Sequence, residues 1–113
     1  TPAFDSVLPE MNHNEIVGWQ ALADLHPRFA AVFLADPSDS PRIVKRREVT
    51  VAILSEEGVA AHVVDAIGQS PLARLLSLVQ FGDWVSYYVA VLAGVDPTPI
   101  VKIDRLKRAL DPA

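Results

Sequence analysis

The stretch Phe29-Ala30-Ala31-Val32-Phe33-Leu34 decides the fold, because it is a continuous apolar run of strand length. Prolines lie close to both of its ends, at positions 27 and 37, and the polar loop Asp36-Pro37-Ser38-Asp39-Ser40 follows it. A short apolar run with such boundaries is typical of a strand that is covered on both faces. The sequence therefore predicts a buried strand at residues 29–34.

A helix and a second strand are predicted directly after this loop. Ser40-Pro41 has the pattern of a helix cap followed by a proline at the first helical position, so a helix is expected from there to Gly58. The β-branched residues Val49-Thr50-Val51 favour a strand locally, but they are outweighed by a helical stripe that consists of Ile43, Arg47, Thr50 and Leu54. The second predicted strand runs from Val59 to Ile67. Because a helix connects the two strands, they are expected to be parallel.

Three further helices are predicted around these strands. The first carries Ile16, Trp19 and Ala23 on one stripe and is expected to end before His26-Pro27. The other two begin at a cap followed by proline and are expected to run from Ser70-Pro71 to Gly94 and from Thr98-Pro99 to Leu110. The sequence thus predicts an α/β fold with a small parallel sheet flanked by helices, including a long apolar helix and a C-terminal helix.

Two parallel strands make a sheet too small to stand alone, since burying both of its faces needs neighbours. We therefore expect either a partner lobe upstream or an intimate dimer. The aromatic residues Trp84, Tyr87 and Tyr88 on the long helix fit this expectation, because such a cluster is found more often in a core or a subunit interface than around a ligand.

Composition restricts the class of protein. The chain has 113 residues, half of them hydrophobic, which suits a single domain over residues 1–113. Its net charge of −4 and its pI near 5.2 disfavour nucleic acid as a partner. It has no cysteine, so a disulfide or a thiolate metal site is excluded, and a cytoplasmic location fits this composition. No stretch reaches the roughly 18 uncharged apolar residues that span a bilayer, so no membrane segment is predicted.

The polar block Asn12-His13-Asn14-Glu15 is the strongest candidate for chemistry. Histidine is the side chain whose ordinary pKa lies nearest neutral pH, so it serves readily as an acid or a base. The alternative is purely structural: one of the two asparagines caps the following helix, Glu15 suits the positive end of its dipole, and the histidine is a solvated loop residue. His62 is expected to be packed or hydrogen-bonded, because no second metal ligand lies at a suitable spacing.

Three separated blocks of the sequence carry a resemblance to a known family. They are Leu8 to Trp19, which contains the histidine, Leu75 to Tyr88, and Gly94 to Lys107. In this order they resemble the C-terminal sugar isomerase (SIS) domain of the bifunctional phosphoglucose/phosphomannose isomerase family. The resemblance covers nearly the whole chain and implies a flavodoxin-like lobe, paired with an N-terminal SIS lobe in a longer parent.

The resemblance also implies an activity and the residues that serve it. The reaction is the aldose–ketose isomerisation of glucose 6-phosphate or mannose 6-phosphate to fructose 6-phosphate through an enediolate, in a homodimer and without metal or cofactor. His13 would reach the neighbouring subunit's site and help to open the pyranose ring. Lys107 would take part in the same step, with Lys102 as its competitor. The predicted substrate contacts are Thr98, which a cap role explains equally well, and Asn12.

The chain departs from the family's pattern at the catalytic base. In the family, a glutamate a few residues upstream of the histidine block moves the proton between the first two sugar carbons. Here that position would fall before Thr1, since Glu10 and Glu15 lie at the wrong offsets. The phosphate-binding serines and threonines belong to the first lobe, so the isolated domain is expected to be inactive. Two other functions stay open, which are a non-catalytic sugar-phosphate-binding or regulatory SIS domain and a dimerising helical scaffold.

Overall fold

The computed structural model describes residues 3–110, which form helices around a small parallel sheet. The elements in this range are α1 (Asn14–Gly18), β1 (Ala30–Ala35), α2 (Pro41–Glu56), β2 (Ala60–Asp65), α3 (Pro71–Leu92) and α4 (Val101–Leu110). Two 3-10 helices, Glu10–Asn12 and Trp19–Arg28, flank α1. The described chain divides into two compact units, residues 3–78 and residues 79–110, and α3 contributes to both.

β1 and β2 pair in parallel, as predicted. In their register, Val32 lies opposite His62 and Leu34 lies opposite Val64. The connecting helix α2 makes the parallel pairing possible, because a short turn cannot return the chain to the same end of the sheet. The predicted α/β class, with a small parallel sheet, a long helix and a C-terminal helix, is confirmed.

The core of the first unit is built around α2. Leu54 of this helix is fully buried, and the cluster around it contains Met11, Phe33 and Val59. Ser40 caps α2 as predicted, since its Oγ accepts a hydrogen bond from the Ile43 N–H at 3.4 Å. Burial of an apolar stripe together with this cap stabilises the helix against the local strand preference of residues 49–51.

The opposite face of the sheet is open in this chain. Side chains of β1 alternate, so that Phe33 and Ala35 are buried whereas Val32 and Leu34 are 45% and 55% exposed. The prediction that this strand is covered on both faces is therefore wrong for the described residues. The open face is nevertheless apolar, which makes it suitable for packing against a further layer.

The segment after α1 also differs from its prediction. We expected a helix that ends before His26-Pro27, but a 3-10 helix continues from Trp19 to Arg28 and contains Pro27. Its backbone leaves helical angles only at Leu22, with φ −111° and ψ 17°. Proline has no N–H to donate, so Pro27 removes one bond of the 3-10 ladder, but the 3-10 winding avoids its clash with the carbonyl four residues earlier. Hydrogen bonds of the His26 side chain hold this segment in place as well.

α3 is the predicted long helix, but none of its residues is buried. By length and composition it could cross a membrane, with a mean hydropathy of 1.3 over 18 residues. The helix carries two charges, Arg74 and Asp83. These charges interrupt the uncharged apolar stretch that the sequence prediction required of a membrane segment. One such helix is a weak indication of a membrane span, since core helices of soluble proteins have the same length and composition.

An ion pair joins the start of α3 to the end of β1. Arg74 Nε lies 2.8 Å from Asp36 Oδ2, and these side chains are only 14% and 27% exposed. The hydrogen bond from Arg74, followed by those from Ser38, lowers the pKa of Asp36 to about 2. The pair therefore stays ionised near neutral pH and anchors α3 to the protein at its first turn.

The second unit contains the aromatic cluster and α4. The rings of Trp84 and Tyr88 are stacked with their centres 5.8 Å apart, and about half of each side chain is exposed. The prediction that this cluster belongs to the core of the chain is therefore wrong. The other predicted role, in a subunit interface, stays a prediction.

Thr98 does not cap α4 as predicted. The helix begins only at Val101, and the carbonyl of Ile100 accepts its first hydrogen bonds. The Thr98 N–H instead donates to Asp96 Oδ1 at 2.9 Å, which lowers the pKa of Asp96. The residues Asp96 to Thr98 thus form a side-chain-stabilised turn that precedes the helix.

Candidate active site

His13 lies in the turn between the first 3-10 helix and α1. Its backbone N–H donates to the Glu10 carbonyl at 3.0 Å, and the N–H of Asn12 donates to the Pro9 carbonyl at 2.9 Å. Met11, in the same turn, is buried in the core. The His13 side chain is exposed, and its ring makes no hydrogen bond to any residue in the range 3–110. The backbone is thus fixed while the imidazole is available to a ligand.

The side chain of Asn12 does not cap α1. Asn12 Nδ2 donates to Thr50 Oγ1 at 2.7 Å, and Thr50 Oγ1 donates to the Arg46 carbonyl at 2.7 Å. Asn14 is already the first residue of α1, whose start has no side-chain cap. The cap in the structural alternative is therefore wrong, whereas Glu15 lies in the first turn of α1 and His13 is an exposed turn residue, as that alternative expects. The block is instead tied to α2 across the first unit.

A cleft of about 460 Å³ opens beside this turn, between α1 and α2. The residues that line it include Asn12, Ile16, Arg42, Lys45, Arg46 and Thr50. Lys45 is partly neutralised, because its Nζ lies 3.2 Å from Glu48 Oε2 on the exposed side of α2. Val49 and Ile53 line the cleft as well, so the space beside the histidine's turn has basic side chains on a largely apolar wall.

His26 is a buried histidine that the sequence did not single out. Its Nδ1 lies 2.9 Å from the Glu57 carbonyl oxygen, and its Nε2 lies 2.8 Å from the Trp19 carbonyl oxygen. Carbonyl oxygens only accept, so both ring nitrogens donate and the ring is held in its protonated form. The bond to Trp19 first, and that to Glu57 second, raise the pKa of His26 against the opposing effect of burial. This side chain is a structural link between the second 3-10 helix and the end of α2.

The other predicted site residues lie in the second unit. Lys102 and Lys107 are both exposed on α4, and Thr98 precedes that helix. Five helical positions separate the two lysines, so they point about 140° apart around the helix axis. The two alternatives therefore occupy different sides of α4, and substitution of each in turn can distinguish them.

His62 is exposed on β2, so the expectation of a packed or hydrogen-bonded histidine is wrong. It occupies the open face of the sheet, opposite Val32. Across residues 3–110, no group of three metal-binding side chains lies close enough to hold an ion. His62 is thus an exposed histidine outside the turn of His13.

The fold and the turn together define a class of protein: a parallel α/β lobe with an open sheet face, which presents one exposed histidine at the start of a helix. A sequence model described as the bacterial phospho-glucose isomerase C-terminal SIS domain matches residues 1–110. The chain belongs to this family.

Three curated relatives show the same relationship. The bifunctional phosphoglucose/phosphomannose isomerase of Aquifex aeolicus is 40% identical over 110 residues, which are 97% of this chain and 34% of that protein. Its counterpart from Caldicellulosiruptor bescii is 43% identical over 112 residues, 97% of this chain and 32% of that protein. The one from Thermoplasma volcanium is 36% identical over 108 residues, 96% of this chain and 34% of that protein. The chain thus spans about a third of the length of the relatives it matches. No solved structure matches it significantly.

Proposed function

We propose that this chain is the C-terminal SIS lobe of a sugar-phosphate isomerase. The reaction converts glucose 6-phosphate, mannose 6-phosphate or both to fructose 6-phosphate, by ring opening followed by an enediolate. The observation that carries the proposal is the exposed imidazole of His13 at the start of α1, in a chain that belongs to the SIS family over residues 1–110. The names of the relatives support the same reaction.

His13 acts in the opening of the sugar ring. This step needs one proton removed from the anomeric hydroxyl and one delivered to the ring oxygen. A histidine performs either transfer near neutral pH. Support comes from the position of the side chain, which is exposed and has no hydrogen-bond partner among residues 3–110. It is therefore free to reach a sugar that is held by the neighbouring subunit.

A lysine of α4 assists the same step. Lys107 is our first choice, because the ammonium group places a positive charge beside the oxygen that gains a proton, and Lys102 is the alternative. Thr98 and Asn12 are the proposed substrate contacts, although the Asn12 amide nitrogen is already bonded to Thr50. Of the two lysines, the one whose replacement by methionine lowers turnover more is the one at the site.

The base glutamate and the phosphate site belong to the rest of the intact protein, in an N-terminal SIS lobe and a homodimer. The apolar surfaces of this chain support such partners, since Val32 and Leu34 are exposed and α3 has no buried residue. We assign these surfaces to protein rather than membrane because Arg74 pairs with Asp36 at the start of α3. The enzyme is cytoplasmic, needs no metal or cofactor, and binds no nucleic acid.

The direct test is turnover of fructose 6-phosphate by the full-length protein that contains this domain. Replacing the imidazole in His13→Ala should lower kcat by about a hundredfold to ten-thousandfold, the usual contribution of a general acid or base. Ser55→Ala is the control, because it removes an exposed side chain of the same domain, on α2, outside the proposed site and away from the open sheet face. Its turnover should stay within about twofold of the wild type, since surface substitutions rarely disturb a fold.

Equal turnover in His13→Ala and in the wild type would remove His13 from the mechanism. A wild-type protein that binds fructose 6-phosphate, as a raised melting temperature reveals, but does not isomerise it would favour the regulatory SIS domain instead. A protein whose melting temperature is unaffected by saturating sugar phosphate would favour the helical scaffold.

A further inference from the structure

We propose that Thr50 is a positioning residue for His13: its hydroxyl holds Asn12, and thereby fixes the turn from which the imidazole projects. The proposal rests on the catalytic role proposed for His13. It concerns a residue on α2, far along the chain from the histidine block, and it does not require Thr50 to touch the substrate.

The polarity of the contact follows from hydrogen-bond chemistry. A hydroxyl has one hydrogen to donate, and Thr50 Oγ1 lies 2.7 Å from the Arg46 carbonyl, which can only accept. The hydroxyl must therefore accept from Asn12, which settles that Nδ2, and not Oδ1, faces it at 2.7 Å. Thr50 itself is 1% exposed, so water cannot replace the hydroxyl in this chain of bonds.

Asn12 depends on this single contact for its orientation. Its Oδ1 is buried and has no hydrogen-bond partner among residues 3–110. The amide is therefore held only through its nitrogen. Removing the Thr50 hydroxyl would leave both ends of a half-buried amide unpaired, which is costly enough to drive it out towards water.

The next residue in the chain is His13, so a shift of the Asn12 backbone, which the side-chain contact restrains, moves the base of the imidazole. The His13 ring has no hydrogen bond of its own within the described range, and its position is set by its backbone alone. That backbone is held by the hydrogen bond from the His13 N–H to the Glu10 carbonyl, by the buried side chain of Met11 and by the amide of Asn12. Loss of the Asn12 contact removes the restraint that ties the turn to α2, so the base of the imidazole is held less firmly.

The experiment compares two substitutions of Thr50 in the full-length protein. Thr50→Val keeps the shape of the side chain but removes the hydroxyl, whereas Thr50→Ser keeps the hydroxyl. We expect Thr50→Val to lower kcat about tenfold to a hundredfold, as displacement of a reacting group by about an ångström does, with KM changed less than about twofold. Thr50→Ser should retain most of the activity. Ser55→Ala, which removes an exposed hydroxyl from the same helix, is the control and should leave kcat unchanged.

A double substitution shows whether Thr50 acts through His13. In a His13→Ala background there is no imidazole left to position, so Thr50→Val should lower kcat no further. Thr50→Ala removes the same hydroxyl, and should reproduce the kcat loss if Thr50→Val fails to fold.

Three results would overturn the inference. The first is a kcat of Thr50→Val equal to that of the wild type. The second is a kcat of Thr50→Ser as low as that of Thr50→Val. The third is a loss of kcat on adding Thr50→Val to His13→Ala that is as large as the loss in the wild type. These results are distinct from failure of the proposed function, which would show as full activity in His13→Ala itself.

Discussion

His13 and His26 are the same type of side chain in opposite surroundings. His13 is exposed, with a ring that bonds to nothing in residues 3–110, whereas His26 is 3% exposed and donates two hydrogen bonds to carbonyl oxygens. A proton that bridges His26 to the backbone cannot be released without breaking one of these bonds. Of these two histidines, only His13 is therefore suited to exchanging protons with a ligand.

The bonds of His26 predict a pH dependence of stability. They raise its pKa in the folded state above the ordinary value of 6.5. The stabilisation they give is therefore complete below about pH 6, and it is lost as the pH rises through the folded-state pKa. We expect the urea midpoint of the full-length protein to fall over this rise in pH. In His26→Gln, which has no titrating ring, the decrease of the urea midpoint that comes from the loss of the His26 proton should be absent.

A charged group near His26 raises its pKa as well. Glu57, whose carbonyl accepts one of the bonds, also favours the protonated ring through its carboxylate. Ser55→Ala is the control, because it removes an exposed side chain that does not titrate and should keep the wild-type pH dependence. A midpoint that falls as steeply in His26→Gln as in the wild type would show that His26 does not carry this effect.

Among the elements, α2 joins the core of the first unit to the histidine block. Its inner face supplies Leu54 to the core, and Thr50 on the same helix holds the histidine block. Its N-terminal half carries the basic residues that line the cleft. Packing of α2 on the sheet therefore supports both the fold and the candidate site.

Truncation of the buried leucine measures how much this packing contributes. Leu54→Ala should lower the free energy of unfolding of the full-length protein by about 2–5 kcal/mol, the usual cost of a cavity left by a fully buried leucine. Val49→Ala, on the same helix but 47% exposed, should change it by less than about 1 kcal/mol. Urea denaturation of both variants provides the comparison. Equal effects of the two substitutions would contradict the placement of the core.

Local signals predicted the elements that depend on local interactions. The cap and proline at Ser40-Pro41 and Ser70-Pro71 correctly marked α2 and α3, because a cap bond spans only a few residues. The same pattern failed at Thr98-Pro99, where Thr98 belongs to a turn with Asp96 and the helix begins only at Val101. The parallel sheet was predictable as well, because a connecting helix carries the chain back to the end of the sheet at which the first strand begins.

Non-local hydrogen bonds explain what the sequence did not reveal about the site. The histidine block could be identified because its four residues are adjacent. Asn12, however, bonds to Thr50 at a separation of 38 positions, and His26 bonds to Glu57 at a separation of 31. Neither pairing leaves a periodic pattern, so the sequence indicates Asn12 only as a cap or a substrate contact and His26 only as part of a helix end.

At the scale of the whole molecule, this chain leaves large apolar surfaces uncovered. One face of β1 is open and α3 has no buried residue, while the chain spans about a third of the length of its curated relatives. Exposed apolar surface of this extent is characteristic of an interface. In our account, the remainder of the protein and a second subunit cover it, and the same assembly brings His13 to the substrate.

A crystal structure of the full-length protein with bound fructose 6-phosphate or glucose 6-phosphate tests this account most directly. We predict a ring nitrogen of His13 from one subunit about 2.6–3.2 Å from the ring oxygen or the anomeric hydroxyl of a sugar held by the other subunit. A His13 side chain that lies outside every sugar-binding cleft of the assembled protein would contradict the central claim.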